Sequence, residues 1–350
     1  MTTSPDPSFA LGTFSEGGRQ PFPAFVLDGK IAPIDALKQV FEQMGIVLLG
    51  ASSIFDLLQN WETSFGALRR AAGFLRDELH RSERWRNIFV PSERVRFHPP
   101  VDLPRQVFCA GVNYRKHVID LIVDQATGAD SGLSPDERRA RATKLMDERT
   151  AHGAPFVFSK PASAITGPYD PVMLPRHAAQ PDWELELAVI IGKPARHVSR
   201  EKALDHVAGY TIVNDITNRD LVFRKDTGAM GADWIAAKGS PSYLPMGPCL
   251  VPAAFVPDPQ NLQIKLKLNG QVMQDESTAD MIFGAARIIE FLSKYVQLWP
   301  GDLIATGSPA GNGTHYNRFL KPGDIMEGAI TGLGEIRNQC VEEEPGAHAS

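Results

Sequence analysis

The segment 182–192 constrains the fold more than any other part of this chain. After two glutamates it continues as an unbroken apolar run, Leu-Ala-Val-Ile-Ile, which is typical of a strand buried on both faces. Alternate side chains of a strand point the same way, so Glu184 and Glu186 share a face, about 7 Å apart at their backbones. Two like charges on a buried strand are costly unless positive charge neutralises them. The fold must therefore place positive charge beside this strand.

Two kinds of positive charge meet this requirement, and the spacing of residues leaves both open. The first is a hard divalent cation, for which Asp215, after the apolar run 210–213, offers a third carboxylate. Cysteine and histidine are absent at ligand spacing nearby, which favours Mg²⁺, Mn²⁺ or Ca²⁺ over Zn²⁺. The second is ion pairing with arginine, and Arg219 and Arg196 are the candidates.

Composition indicates a turn-rich, β-rich protein. Glycine (30 residues) and proline (27 residues) exceed their usual share, which favours short strands over a helical bundle. The hydrophobic fraction of 43% allows a large core and excludes wholesale disorder. The net charge of −5 gives no electrostatic reason to expect nucleic acid as a partner. The 3 cysteines form no CxxC pair, so they fit a reducing compartment.

We find no targeting or membrane segment in the sequence. The first residues lack the basic and apolar regions of a signal peptide. The longest uncharged stretch, 239–257, contains 5 prolines, which remove backbone donors that a membrane helix needs. The sequence therefore predicts a cytoplasmic protein without a membrane partner.

Residues 1–103 are predicted to form a small N-terminal domain and its linker. The pair at 28–29, Asp-Gly, predicts a hairpin turn, and apolar residues recur at helical spacing over about 54–79. The stretch 82–104 is rich in proline and charge and is typical of a linker. No side chain here suggests chemistry, so the expected role is packing and dimer support.

Residues 104–345 are predicted to form the catalytic domain. Short apolar strands alternate with glycine and proline, and Asn-Gly at 269–270 predicts a hairpin. An insertion at about 122–152 contains a polar helix that opens at Ser134, where proline and two acids follow a capping serine. A solvated surface helix and a lid over a site are both consistent with this pattern.

Five short motifs follow one another along this second region. They are GVNYRKHVID at 111–120, WELEL at 183–187, NDITNRD at 214–220, Lys238 ahead of PMGP at 245–248, and TGSPAG at 306–311. In this order they resemble the catalytic domain of the fumarylacetoacetate hydrolase superfamily. The resemblance implies an α+β, β-rich fold, with a mixed β-roll or β-sandwich domain after a small N-terminal α/β domain. It also implies a homodimer and a divalent metal, Mg²⁺ with Mn²⁺ or Ca²⁺ as alternatives, on Glu184, Glu186 and Asp215.

The resemblance also implies which residues act on the substrate. His117 matches the catalytic histidine, on a loop that orders over substrate, and Asp120 matches the acid that orients it. Lys238 is expected to stabilise the oxyanion, and Arg219 and Thr306 match positions that hold a carboxylate or oxyanion. The further substrate-binding candidates are Tyr114, Arg115, Lys160 and Gly307. The chain departs from the family pattern at Asp120 (usually Glu), Ser308 (usually Thr) and Asn312 (usually Val).

The superfamily acts on 2-oxo acids, β-diketones and their enols, so the expected partner is a small-molecule substrate. The leading hypothesis is a hydrolase of aromatic catabolism that cleaves a C–C bond in an acylpyruvate or β-diketo acid resembling fumarylacetoacetate or fumarylpyruvate. His117 would activate water to attack a carbonyl, and the metal would stabilise the departing enolate. One alternative is a decarboxylase, tautomerase, isomerase or hydratase on the same scaffold. Another is a non-catalytic, metal-stabilised protein that binds a dicarboxylate.

Overall fold

The computed structural model describes residues 8–81, 83–124, 132–224, 226 and 231–344. The helices are α1 (Lys38–Gln43), α2 (Ile54–Gln59), α3 (Trp61–Arg81), α4 (Arg115–Asp124), α5 (Pro135–His152), α6 (Arg200–Ala203), α7 (Trp234–Lys238), α8 (Ala285–Tyr295) and α9 (Gly313–Tyr316). The strands are β1 (Ala10–Glu16), β2 (Phe22–Leu27), β3 (Lys30–Pro33), β4 (Val95–His98), β5 (Val107–Gly111), β6 (Phe156–Ser159), β7 (Ile165–Thr166), β8 (Val172–Leu174), β9 (Pro181–Asp182), β10 (Leu185–Ile191), β11 (Val207–Asn214), β12 (Thr217–Asn218), β13 (Leu244–Pro252), β14 (Gln263–Leu268), β15 (Gln271–Ser277), β16 (Leu303–Ala305), β17 (Ile325–Ile330) and β18 (Gly334–Glu342).

The strands of the described residues form one large mixed sheet, one smaller mixed sheet and a short pair. The large sheet has the order β3-β2-β1-β13-β11-β10-β16-β5-β6, with β4 beside β1 and β7 beside β13. The smaller sheet has the order β15-β14-β17-β18-β8, and β9 pairs with β12. Strand β10 lies inside the large sheet and is buried along its whole length, which confirms a buried strand over 185–191 of the predicted 182–192. Asp182 belongs instead to the short strand β9.

The N-terminal strands extend the large sheet. Leu11 of β1 pairs with Leu250 of β13, and both side chains belong to the same apolar core as Leu187 of β10. Burial of a shared core stabilises both regions of the chain together. The division of the chain at residue 103 stays a prediction.

The structure confirms the predicted hairpin but changes the interpretation of the linker. Asp28 and Gly29 connect β2 to β3 with φ values of 49° and 75°, the left-handed conformations that such a turn requires. The stretch expected to be a linker contains β4, which pairs with β1. Phe97 of β4 packs edge-on against Phe14 of β1, with ring centroids 4.8 Å apart, so this strand has an apolar contact that the charged sequence around it obscures.

The predicted polar helix is α5, which covers most of the described part of the insertion. Ser134 accepts a hydrogen bond from the backbone N–H of Glu137, whose carboxylate accepts one from the backbone N–H of Ser134, as the sequence pattern predicts. The predicted hairpin at Asn269 and Gly270 connects β14 to β15. Among the described residues, no helix combines the length and the apolar character needed to cross a bilayer.

Candidate metal centre and active site

Antiparallel pairing of β10 with β11 brings three carboxylates together. Leu185 lies opposite Asn214, so Glu184 meets the residue that follows β11. The backbone N–H of Asp215 donates to the carbonyl of Glu184 at 2.8 Å. One carboxylate oxygen from each of Glu184, Glu186 and Asp215 lies within 4.8 Å of the others, and all three residues are buried. The strand register thus assembles the acids that the sequence predicted to share a cation.

Three cationic side chains surround two of these acids. Lys238 Nζ donates to Glu184 Oε2 at 2.8 Å and to Asp215 Oδ2 at 2.6 Å. Lys160 Nζ donates to Asp215 Oδ1 at 2.7 Å, and Arg219 Nη2 donates to Glu184 Oε1 at 2.5 Å. The predicted pairing of a strand glutamate with Arg219 is therefore present, and two lysines add to it.

The electrostatic environment of Glu184 favours its charged form. Burial alone raises the pKa of this carboxyl, but Arg219 and Lys238 outweigh burial and hold the pKa below its usual range. Arg196, the other predicted partner of the strand glutamates, donates instead to the carbonyl of Ser293 at 2.6 Å.

Glu186 has the opposite environment. Burial, followed by the charges of Asp215 and Glu184, raises the pKa of Glu186 well above its usual value. Its Oε2 accepts the backbone N–H of Gly307 at 2.6 Å, and among the described residues no lysine or arginine forms an ion pair with it. A divalent cation among the three acids would stabilise the charged form of Glu186, and three carboxylates are the oxygen donors that such a cation prefers. The acidic triad therefore fits a divalent metal ion.

The triad opens into a cavity of about 110 Å³, the triad cavity. Its other lining residues include Arg219, Lys238, His117, Phe156, Phe158 and Trp234. Phe158 and Trp234 stack with ring centroids 4.3 Å apart, so one wall is flat and apolar. Burial lowers the pKa of Lys238, but Asp215 and Glu184 raise it above its usual value overall, which keeps the ammonium charged. The cavity thus combines fixed charges with an apolar wall.

His117 lines this cavity from a helix, whereas the sequence predicted a loop. It lies in the first turn of α4, where the backbone N–H of Lys116 donates to Asp280 Oδ2 at 2.9 Å. Val118 and Ile119 are buried in the core, so this segment has an apolar face to pack. That packing explains why the predicted loop is helical.

The imidazole of His117 is neutral at pH 7. Burial, assisted by the charge of Arg219, lowers its pKa to about 4. Its Nε2 lies 3.5 Å from Nδ2 of Asn312. A neutral imidazole can accept a proton, which is what a general base requires.

Asp120 makes different contacts from those expected. Its carboxylate pairs with Arg139 at 3.1 Å and with Lys116 at 3.5 Å. In the part of the chain that the structure describes, Asp120 makes no hydrogen bond to His117, although both line a neighbouring cavity. A role for Asp120 in orienting His117 stays a prediction.

Tyr114 and Arg115 are neighbours in the sequence but lie in different surroundings. Tyr114 is completely buried, and burial and the charge of Glu186 raise the pKa of its hydroxyl well above the usual value. Arg115 Nη2 pairs with Asp147 Oδ1 of α5 at 2.6 Å. Arg115 therefore ties α4 to the polar helix, and it does not line the triad cavity among the described residues.

The other predicted substrate-binding residues build the framework of the site. Thr306 Oγ1 donates to the carbonyl of Leu187 at 2.8 Å, which ties the fifth motif to β10. Gly307 has φ +98°, and a Cβ there would lie 2.8 Å from the Cβ of Asn113, so a side chain does not fit. Lys160 has a fully buried side chain. None of the three is among the described residues lining the triad cavity, so their contact with substrate stays a prediction.

Sequence reasoning missed residues that orient the predicted ones. Asp182 is fully buried and accepts Arg219 Nε at 2.8 Å, which holds the guanidinium against the triad. Asn113 Nδ2 donates to the carbonyl of Thr306 at 2.7 Å. Asp182 lies next to one of the quoted motifs and Asn113 lies inside another, and these positions could have marked both residues as part of the site. Trp234 had no such signal, because its contact with the cavity depends on the distant β6.

Comparison with known proteins agrees with this geometry. Residues 106–341 match the family model described as "Fumarylacetoacetate (FAA) hydrolase C-terminal". The chain belongs to the fumarylacetoacetate hydrolase superfamily. It is 35% identical over 291 residues to the mitochondrial oxaloacetate tautomerase FAHD2A of Bos taurus, a match that covers 83% of this chain and 80% of that protein. It is 42% identical over 191 residues to 2,4-didehydro-3-deoxy-L-rhamnonate hydrolase of Sphingomonas sp. (strain SKA58), covering 54% of this chain and 65% of the relative.

Solved structures show the same fold. Fumarylacetoacetate hydrolase from the psychrophile Exiguobacterium antarcticum matches with a TM-score of 0.69 and 26% identity, covering 96% of this chain and 100% of the other. Maleylpyruvate hydrolase from Sphingobium sp. SYK-6, solved with manganese (II) ion and pyruvate, matches with a TM-score of 0.65 and 27% identity, covering 96% and 100%. The predicted α+β, β-rich fold and superfamily are confirmed. The chain is an enzyme of this superfamily, which sets aside the non-catalytic alternative.

Proposed function

We propose that the enzyme hydrolyses a C–C bond in an acylpyruvate or related β-diketo acid, the class to which fumarylacetoacetate and fumarylpyruvate belong. One observation carries the proposal: the acidic triad, the charged Lys238 and the neutral His117 line a single cavity. The named relatives include hydrolases of a didehydro-deoxy-rhamnonate and of maleylpyruvate, which supports this class of substrate.

The residues of the cavity divide the chemistry among them. His117 accepts a proton from water, so that hydroxide attacks the carbonyl remote from the carboxylate. Lys238 and Arg219 supply positive charge where the oxyanion develops. The bond between that carbonyl carbon and C3 then breaks, and its electron pair stays with C3 as the enolate of a 2-oxo acid. The proton that His117 took from water returns to this enolate, so the products are a carboxylic acid and the enol form of a 2-oxo acid.

We propose that Glu184, Glu186 and Asp215 hold Mg²⁺ or Mn²⁺, with Ca²⁺ as a further candidate. When bound, such an ion acts as a Lewis acid toward the adjacent carboxylate and keto oxygens of a 2-oxo acid. Manganese in the maleylpyruvate hydrolase neighbour supports this choice of metal class.

A tautomerase is the second candidate, and the surroundings of His117 favour it. Hydrolysis benefits from a carboxylate that orients the histidine, yet Asp120 pairs with Arg139 and Lys116 instead. Moving one proton between C3 and the keto oxygen needs no activated water. The bovine relative is named an oxaloacetate tautomerase, which supports this candidate too.

One experiment separates the two. The metal-loaded enzyme is incubated with acetylpyruvate and with enol-oxaloacetate, and the products are followed by NMR. Pyruvate and acetate from acetylpyruvate support the hydrolase. Faster conversion of enol- to keto-oxaloacetate without cleavage of acetylpyruvate supports the tautomerase, and inertness toward both substrates contradicts the proposal.

We also propose that α5 is a lid over this site, in a cytoplasmic homodimer. Arg149 Nη1 of α5 donates to the carbonyl of Val112 at 2.6 Å, and Val112 lines the triad cavity. Hydrogen exchange of α5 should slow when a 2-oxo acid binds, and an unchanged rate would argue for a plain surface helix.

The homodimer and its location need separate measurements. Light scattering should give twice the mass of one chain if the protein is a homodimer, and cell fractionation tests the proposed cytoplasmic location.

A further inference from the structure

The triad cavity has a charged part and an aromatic part. Lys238 and Arg219 line it beside the acids, and the rings of Phe156, Phe158 and Trp234 line it as well. The ring centroid of Trp234 lies 4.3 Å from that of Phe158 and 5.8 Å from that of Phe156, so the three rings form one cluster, which we call the aromatic wall.

Phe158 is the point where the two parts meet. Lys238 Nζ lies over the ring of Phe158, 5.3 Å from its centroid, and Trp234 stacks on the same ring with the two planes 9° apart. Trp234 and Lys238 belong to the same short helix, α7, four positions apart, so one helix supplies both the ammonium and part of the wall. The aromatic wall therefore begins directly beside the ammonium that the proposed chemistry uses.

The proposed chemistry decides which part of the substrate meets this wall. The 2-oxo acid group lies at the acidic triad, and water attacks the remote carbonyl beside His117 and Lys238. The rest of the acyl group is bonded directly to that carbonyl carbon, so it also starts beside Lys238. The nearest large apolar surface in the cavity is then the aromatic wall.

The apolar surface continues to the mouth of the cavity. Phe158 is 9% exposed, whereas Phe156 is 44% exposed, as is Val112, which also lines the cavity. An acyl group can therefore follow the wall outward from the reacting carbonyl, and its length is not limited to the enclosed volume of about 110 Å³.

The two cationic side chains of the described lining are already engaged by acids. Lys238 pairs with Glu184 and Asp215. Arg219 pairs with Asp182 and Glu184. An apolar group against the wall gains the free energy of removing carbon surface from water, and a flat ring gains contact with the rings as well. A second carboxylate at the same place gains neither.

We infer that the aromatic wall receives the end of the substrate remote from its 2-oxo acid group, and that this end is an apolar group, best a flat ring, rather than a second carboxylate. The inference rests on the proposed function and narrows it within the acylpyruvate class. Trp234 and Phe156 are then specificity-determining residues.

Three substrates test this inference with the manganese-loaded enzyme. They are acetylpyruvate and two acylpyruvates in which the same two-methylene chain ends either in a phenyl ring or in a carboxylate. We expect kcat/KM for the phenyl-ended substrate to exceed both other values by about tenfold or more, because only the ring gains burial against the wall. Turnover without this preference would overturn the inference and leave the hydrolase proposal standing.

A binding measurement separates the inference from the proposed hydrolysis. Counterparts of the phenyl-ended and carboxylate-ended substrates that lack the acyl carbonyl are not cleaved, and titration calorimetry with the manganese-loaded enzyme gives their Kd. The phenyl-ended compound should bind about tenfold more tightly or better. This result without turnover of any acylpyruvate would support the wall and contradict hydrolysis alone, whereas equal Kd values would overturn the inference.

Trp234→Leu tests the wall itself. The variant should lower the ratio of kcat/KM for the phenyl-ended substrate to that for acetylpyruvate about fivefold, because the ring loses its largest partner. Trp299→Leu, at a tryptophan that is 42% exposed and absent from the described lining of the cavity, is the matched control and should leave this ratio within about twofold. Displacement of Lys238 on the same helix would lower both values by one factor, and an unchanged ratio would therefore contradict the role of Trp234.

Phe156→Arg tests the position of the remote end. A cation at the mouth should raise the ratio of kcat/KM for the carboxylate-ended substrate to that for the phenyl-ended one by about tenfold, because the carboxylate gains a partner there. Tyr295→Arg adds the same charge at an exposed aromatic residue of α8 and is the control. Equal effects of the two variants would show that net charge changes the ratio, and would contradict a path of the substrate along Phe156.

Discussion

Two neighbouring cavities differ in their charged groups: the triad cavity, and a second cavity of about 230 Å³ between α4 and α9, the distal cavity, which His117 also lines. In the triad cavity, Glu184 and Asp215 each pair with cationic side chains, and every cation present is engaged by a carboxylate. In the distal cavity, the imidazole of His315 lies 3.4 Å from Asp124, and no lysine or arginine stands among the described lining residues.

The lysine and arginine of the described lining therefore stand in the triad cavity, beside the acids. Fixed charges in a buried space act strongly on a developing charge, because water does not screen them. The five predictions below test this contrast, beginning with the largest expected effect.

Glu186→Gln removes the one acid of the triad without a cationic partner among the described residues. We expect kcat/KM to fall by roughly 10³–10⁵, because Lewis-acid activation contributes several kcal/mol. MnCl₂ at about 100 times its Kd should raise the Tm of the parent by several degrees and that of the variant much less. Exposed Glu201 provides the matched control, Glu201→Gln. A variant that keeps both activity and the manganese response would remove Glu186 from the metal site.

His117→Ala removes the proposed general base, which lines both cavities as Leu121 does. We expect kcat to fall by about 10²–10⁴, the usual contribution of a general base. Steady-state kinetics with acetylpyruvate measures the change, and His177→Ala, at an exposed histidine, controls for loss of an imidazole. A rate within threefold of the parent would show that another group takes the proton.

Lys160→Met tests whether this lysine holds the fold or the substrate. Its fully buried ammonium pairs with Asp215, which also pairs with Lys238, so loss of Lys160 should cost about 1.5–3 kcal/mol of unfolding free energy, the usual contribution of a hydrogen bond to a charged group. Denaturant unfolding measures the loss, and Lys321→Met at an exposed site is the control. Unchanged stability together with a raised KM would instead support the predicted substrate contact.

Acid should destabilise the protein through His117. The unfolded histidine binds a proton near pH 6.5, whereas burial keeps the folded one neutral down to about pH 4. The unfolded state therefore binds more protons between these values, and stability is lost as the pH falls. Protonation of His117 should therefore lower the free energy of unfolding by about 3 kcal/mol between pH 7 and pH 4. His117→Gln should reduce the stability difference between pH 7 and pH 4 by that amount, and an unchanged difference would contradict burial of a neutral imidazole.

Arg115→Gln should have the smallest effect. Arg115 and Asp147 form a partly exposed ion pair between α4 and α5, which contributes about 1 kcal/mol or less. We expect thermal denaturation to detect little change and KM to stay within threefold. A KM raised tenfold or more would restore Arg115 as a substrate-binding residue or show that its link to α5 matters for closure.

The acidic triad could be predicted because its geometry is mostly local. Glu184 and Glu186 share a face through strand periodicity, and Asp215 follows a neighbouring strand. The helical position of His117 could not be predicted with the same certainty, because a short segment is helical or not according to what it packs against. The cavity wall formed by Trp234 and Phe158 depends on contacts between distant segments in the same way.

The sequence by itself determined the superfamily, the β-rich fold and the acids that suit a divalent cation, since these follow from periodicity, composition and ordered motifs. Only the tertiary structure decided which acid has no lysine or arginine partner in the part of the chain that the structure describes, where Arg115 and Asp120 find their partners, and that a second cavity adjoins His117. Those outcomes depend on distances between residues far apart in the chain, such as His117 and Asn312, which are separated by 195 positions. Packing sets such distances, and no local pattern encodes them.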